Sequence, residues 1–165
     1  MIDFILGALR GVPAPLATYL VAMLPSLELS VAIPLALEVY HLPVAVAFAL
    51  AVLGSFTPAL VVLMLAPRVV AWLMAHSLLA RRLFTWVFDR TRKKFAPKYR
   101  RWGDLALLLC VAIPLPLPLS GAWTGALAAF LFDIPARRAL PLIGLGLLIA
   151  GGIMVAGTLG FVALR

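Results

Sequence analysis

The sequence predicts an all-α integral membrane fold: an inverted repeat of a re-entrant helix hairpin plus a transmembrane helix, with an amphipathic interfacial helix between the repeats. Three observations carry that expectation. Of the 165 residues, 65% are hydrophobic, with a mean hydropathy of +1.14, whereas a soluble domain is about 45–50% apolar. Only 12% are charged, and most of the fourteen Lys and Arg fall between Arg68 and Arg101, which leaves flanks nearly free of charge, as hydrocarbon requires. Finally, prolines interrupt long apolar stretches in both halves of the chain, a pattern of broken membrane helices.

Taken in order, residues 1–66 form the first repeat of a single membrane domain. Met1-Ile2-Asp3-Phe4 lacks the basic n-region and cleavage site of a signal peptide, so the segment that inserts the protein is expected to stay in the mature chain. Arg10-Gly11, Pro13 and Pro15 break the apolar run after residue 4. A half-helix follows from Ala14 to Leu24, and a second, Leu27 to Leu37, contains Glu28 and Pro34. Neither matches a hydrocarbon core about 30 Å thick at about 1.5 Å per residue. Together, 14–37 read as a hairpin that enters and leaves by one face, and Val44 to Ala66 as a true span ending at Pro67-Arg68.

Residues 67–103 connect the repeats. Ser77, Arg81, Thr85, Asp89 and Arg92 share one helical face and Trp72, Leu79, Leu83 and Trp86 another, which predicts an amphipathic helix on the membrane surface. Its basic residues Arg81 and Arg82, with Arg90, Arg92, Lys93, Lys94, Lys98, Arg100 and Arg101 in the loop that follows, suit anionic lipid headgroups. The net charge of +8 is therefore assigned to membrane lipids as partners and not to nucleic acid. By the positive-inside rule the 90–101 loop is cytoplasmic, in a multi-pass protein of the cytoplasmic membrane.

The second repeat is 104–165. Leu105 to Phe132 is long enough to span, but Pro114, Pro116, Pro118 and Ser120-Gly121 predict a second hairpin over 105–132. Ala139 to Leu164 is the last span. Its Gly144, Gly151, Gly152, Gly157 and Gly160 permit close helix packing, and a homo-oligomer is left open. Ala32-Ile33-Pro34-Leu35-Ala36-Leu37 and Ala112-Ile113-Pro114-Leu115-Pro116-Leu117 agree at five of six places, 80 positions apart (112 minus 32). Matched Pro-interrupted segments in two halves are a pointer to a site at a repeat interface. With the basic loop inside, the first hairpin opens outside and the second inside, so the halves are inverted and the tips around Pro34 and Pro114 are expected to meet near the midplane.

Chemistry is expected at few places. Glu28 is an ionisable group inside an apolar segment, costly unless paired, hydrated or neutralised; the alternative is a cap on its own half-helix. Ser120-Gly121-Ala122-Trp123-Thr124-Gly125 joins hydroxyls and glycines at a helix break. A helix starting there would aim N–H groups at an anion such as phosphate, or else the string is a tight packing turn. Glu38 and His41 read as a solvated outer loop, and His76 as interfacial. Cys110 is the only cysteine and reads as a small core hydrophobe. No spacing matches a metal site, and no nucleophile–base pair or phosphate-binding loop is present, so neither a cofactor nor catalysis is expected.

Glu28-Leu29-Ser30-Val31-Ala32-Ile33-Pro34, with Ala112-Ile113-Pro114-Leu115-Pro116 and the 120–125 string, resembles the small multi-drug export protein family over nearly the whole chain. That family is in turn similar to the DedA (SNARE-associated or VTT domain) superfamily, whose opposed re-entrant helices are thought to move lipids or small solutes. The family pattern reads Glu-Leu-Arg-Gly where this chain has Ser30 at the Arg position, and an extra Pro-Leu unit precedes Ser120. The resemblance implies a non-enzymatic transporter of lipids, anionic or polyprenyl-phosphate, or of small amphipathic solutes, with proton coupling as one form. Glu28, Ser30, Pro34, Pro114, Ser120, Gly121, Trp123, Thr124 and Gly125 are the candidate substrate and coupling residues. The alternative is a scaffold that binds anionic lipid or a partner through its basic amphipathic segment.

Overall fold

In the computed structural model, residues 11–25, 27–79, 81–86, 104–113 and 121–163 are described here, and among them the chain is all helical, with no strand. Pro114, Ser120, Arg90, Arg92, Lys93, Lys94, Lys98, Arg100 and Arg101 lie outside the described residues, as does the expected 90–101 loop.

Helix α1 (Ala14–Met23) starts where Pro13 holds an extended backbone. Pro15 falls in its first turn, where a missing N–H costs nothing because that position has no intrahelical acceptor. A short turn leads to α2 (Glu28–Pro34), which passes directly into a π-helical turn, Leu35–Val39. Pro34 was expected at a break, but its φ of −56° and ψ of −43° are helical. The irregularity comes one residue later, as a widened turn in which the Tyr40 amide donates to the Leu35 carbonyl at 3.1 Å. The break of this half is thus at residues 24–27, beside Glu28.

Helix α3 (Val44–His76) has 33 residues, about 50 Å at 1.5 Å per residue. It runs through Pro67 and Arg68, where the sequence suggested an interface, and Arg68 bonds back to the Met64 carbonyl at 2.9 Å. The amphipathic stretch is accordingly divided. Its first part continues the span to His76, Ser77 is extended, and α4 (81–86) follows. Helices α5 (104–112), α6 (Ala122–Leu131) and α7 (Ala136–Ala163) complete the chain. Helices α3 and α7 are long and apolar enough to cross a bilayer.

The order is short, short, long in each half: α1, α2, α3, then α5, α6, α7. The two Ala-Ile-Pro strings do not hold equivalent places in it, since Ala32 and Ile33 lie within α2, while Ala112 is the last residue of α5 and Ile113 follows it in a bend.

Helices α3 and α7 pack antiparallel, Gly144 against Phe56 and Gly151 against Phe48 and Val52. That packing collects Arg68, Arg137 and Arg138 toward one end of the molecule and Glu38, His41 and the last turns of α7 toward the other. Gly152, Gly157 and Gly160, in contrast, meet nothing within 4 Å. The interior is built from Ala22, Ala32, Ala51, Ala59, Ala126 and Ala139 around Ile33, Ile143 and Leu147, all fully buried. Small residues let backbones approach where lipid leaves no hydrophobic driving force between helices.

Candidate functional site

The site forms where the start of α2 meets the start of α6. Glu28 is the first residue of α2, only 9% exposed, and its φ of +37° is a left-handed value that costs a side-chain-bearing residue about 1–3 kcal/mol. That backbone turns the carboxylate away from α2 and onto the start of α6. There Gly121 is the N-cap with φ +92° and ψ −153°, a region open essentially to glycine. A Cβ on Gly121 would occupy the place of the Glu28 carboxylate.

The carboxylate faces the N–H groups of Ala122 and Trp123 in the first turn of α6. Trp123 donates its backbone N–H to Glu28 Oε1 over a long 3.5 Å, and the Ala122 N–H also reaches the carboxylate. These are donors that a helix start leaves without intrahelical partners, at the positive end of its dipole. Trp123 makes a second tie: its indole Nε1 donates to the Met23 carbonyl at 3.1 Å, one of the free acceptors at the end of α1. The α6 start is therefore clasped on both sides of the 24–27 turn.

The cap reading of Glu28 placed its partner in its own half-helix, yet the helix it caps begins 94 residues later (122 minus 28). The anion expected at the 120–125 string is, in this structure, Glu28. Ser30 turns its hydroxyl back to the Leu27 carbonyl at 2.8 Å. Gly125 lets α6 close on α5, since a Cβ there would lie 2.5 Å from Val111 Cγ2. Thr124 is half-buried and hydrogen-bonded or otherwise engaged. Pro34 stands apart from the clasp, half-buried one turn beyond Ser30 in a groove shared with Ser30, Val31 and Glu38. Arg81 and Arg82 are exposed on α4, near Leu78 and Trp86. Sequence reasoning missed Met23, whose carbonyl is the acceptor; the only available signal was its place as the last residue before a turn.

Beside the clasp, among the described residues, Glu28, Leu29, Ser30, Val111, Gly121, Leu147 and Ala150 line a cavity of about 20 Å³, room for about one water molecule. Leu147 and Ala150 are midway along α7, whose 28 residues extend about 42 Å. Glu28 thus lies at the middle height of α7, level with the Val52–Phe56 part of α3. No group of three His, Cys, Asp or Glu that could hold a metal gathers among the described residues.

A sequence profile described as "Putative small multi-drug export protein" matches residues 28–153, that is 126 of the 165 residues. The match begins at Glu28 itself and takes in α2, α3, α6 and most of α7. No curated protein and no solved structure matches the chain. With an all-helical fold, two helices fit to cross a bilayer and a profile match over three quarters of its length, the chain belongs to the small multi-drug export protein family of membrane proteins.

Proposed function

We propose that the protein is a transporter of the cytoplasmic membrane that moves small amphipathic solutes, and that Glu28 couples their passage to a proton or cation. One observation carries this reading: a carboxylate is buried at the middle height of α7 and bridges the two short-short-long halves. A membrane anchor or scaffold has no use for such a group, because an intramembrane ionisable residue is expensive and is retained for a pathway or relay.

The chemistry follows from the clasp. Ionised, Glu28 holds the N–H groups at the start of α6 and favours closed halves. Neutralised by a proton, it loses most of that attraction, and the adjoining cavity admits a water molecule that can replace it on the α6 N–H groups. Alternating loss and recovery of the clasp moves α2 relative to α6. Under this reading the two short-helix pairs are re-entrant and inverted, as the facing starts of α2 and α6 at one height support, and the arginine end is cytoplasmic, in keeping with the positive-inside rule. Transport of lipids by a DedA-like route is the neighbouring form of the same mechanism.

Glu28→Gln keeps the shape and one acceptor oxygen while removing the titratable group. In proteoliposomes it is expected to abolish pH-dependent uptake of a fluorescent amphipathic dye while thermal stability stays within about 1 kcal/mol of the parent. Unchanged dye movement and unchanged pH dependence would reduce Glu28 to a static cap. Translocation of a labelled phospholipid, unaffected by the dye, would instead select the lipid form.

A further inference from the structure

Glu38 follows Ser30 and Pro34 at two successive intervals of four residues, so all three share one side of α2 and its π-helical continuation. Ser30 lines the small cavity at Glu28, and Ser30, Pro34 and Glu38 line a groove of about 220 Å³. Glu38 also opens onto a larger crevice of about 550 Å³, within the range of about 300–1,000 Å³ typical of small-molecule sites. Its walls are Leu37, His41, Leu42, Leu159, Phe161 and their neighbours, and among the described residues none is Lys or Arg. The three spaces thus share residues in sequence, from crevice to groove to buried carboxylate.

Their heights agree with that order. The crevice lies at the level of Thr158 to Val162 and the Glu28 cavity at Leu147 and Ala150, a separation of about 15 Å along α7 at 1.5 Å per residue. That is half of a hydrocarbon core about 30 Å thick, so the series runs from one surface of the membrane to its middle. It opens at the end of the molecule opposite Arg68, Arg137 and Arg138.

We propose that the crevice between the Leu37–Val44 segment and the last turns of α7 binds an amphipathic organic cation, with Glu38 facing the charge, Phe161 and Leu159 covering the apolar body, and the Ser30–Pro34 groove leading inward to Glu28. The inference rests on the transport reading for the use made of the site, while the binding itself stands separately. Charge complementarity selects the occupant: an apolar and aromatic surface with a carboxylate at its edge and no described cation lining it attracts a lipophilic cation and repels a lipophilic anion. The π-helical turn puts Glu38 at this edge, in keeping with the tendency of such turns to occur at functional sites.

Two probes of the same shape and opposite charge test it. Tetraphenylphosphonium and tetraphenylborate are titrated against the full chain in nanodiscs, with empty nanodiscs subtracted. The phosphonium is expected to bind saturably and the borate not to. Glu38→Gln is expected to weaken phosphonium binding about fivefold and Phe161→Ala about threefold. Equal binding of both probes, no saturable phosphonium binding, or full affinity in Glu38→Gln would overturn the proposal. Dye transport is measured on the same preparations. Binding that depends on Glu38 without any transport upholds the site and defeats the transport reading; transport that survives Glu38→Gln at full affinity does the reverse.

Discussion

Two junctions hold short helices in this molecule, and they are built on different chemistry. Between α1 and α3 every tie is neutral and the backbones touch. Ser55, fully buried, donates to the Ala22 carbonyl at 3.1 Å, the Tyr19 and Thr57 hydroxyls meet at 2.7 Å, and Gly54 admits the Tyr19 carbonyl so closely that a Cβ would sit 2.5 Å from it. Between α2 and α6 the contact is one carboxylate on two backbone N–H groups, the one measured at 3.5 Å, held by two positive-φ residues and backed by a cavity. The first junction has nothing to gain by opening. The second stores backbone strain and depends on a charge, so a change in that charge shifts it.

The largest effect is expected at Gly121. Gly121→Ala adds a methyl where the Glu28 carboxylate sits and forces a side chain into a backbone region essentially reserved for glycine. The strain costs about 1–3 kcal/mol and loss of the cap about 0.5–2 kcal/mol, so a loss of about 3 kcal/mol in denaturation from mixed micelles is expected. An alanine variant as stable as the parent would show that the clasp is not formed and would erase the contrast between the junctions.

At the neutral junction, Gly54→Ala sets a methyl against the Tyr19 carbonyl and the Ala22 Cβ at 2.5 and 2.7 Å. Neither neighbour is the flexible end of a side chain, so α1 must shift, at about 1–3 kcal/mol for an overpacked core. Dye transport per folded molecule and its pH dependence are expected to persist. Loss of pH dependence in this variant, with normal folding, would mean that the α1–α3 junction is also part of the moving apparatus.

The sequence reading and the structure part company where partners are distant. The Ala14 and Val44 helix starts were legible because Pro13 and Pro43 precede them, and Glu28 and Gly121 stood out as a lone charge in an apolar run and a glycine at a break. What joins them was not, because helix periodicity reports only neighbours three or four residues away, and no local pattern connects Glu28 with Ala122. The proline rule also failed in a specific way. Pro34, expected near a hairpin tip, and Pro67, expected at the end of a span, both lie inside helices, as Pro58 and Pro141 were expected to do; a helix in an apolar setting can accommodate the missing N–H through local adjustments such as the π turn after Pro34. The interruption between the half-helices ending at Leu24 and starting at Leu27 was legible, but the Ala-Ile-Pro repeat drew the tip to Pro34, which instead carries α2 into the π-helical turn.

The smallest expected effect sharpens the comparison from the neutral side. Thr57 has one hydroxyl proton and gives it to the Leu53 carbonyl at 2.8 Å, so in the 2.7 Å contact with Tyr19 the phenol is the donor. Tyr19→Phe therefore removes one donor and leaves Thr57 still bonded within α3, which places the cost at the low end of the about 0.5–1.5 kcal/mol typical of a hydrogen bond. Thr57→Val removes the acceptor with little change in shape, and once it is made, Tyr19→Phe should cost nothing further, so the double-mutant cycle returns the energy of the pair. Both variants should transport dye with the parent pH dependence. A coupling energy near zero would mean the hydroxyls do not bond across the junction; a loss of pH dependence as large as that of Glu28→Gln would mean that neutral ties gate the molecule as much as the charged one does.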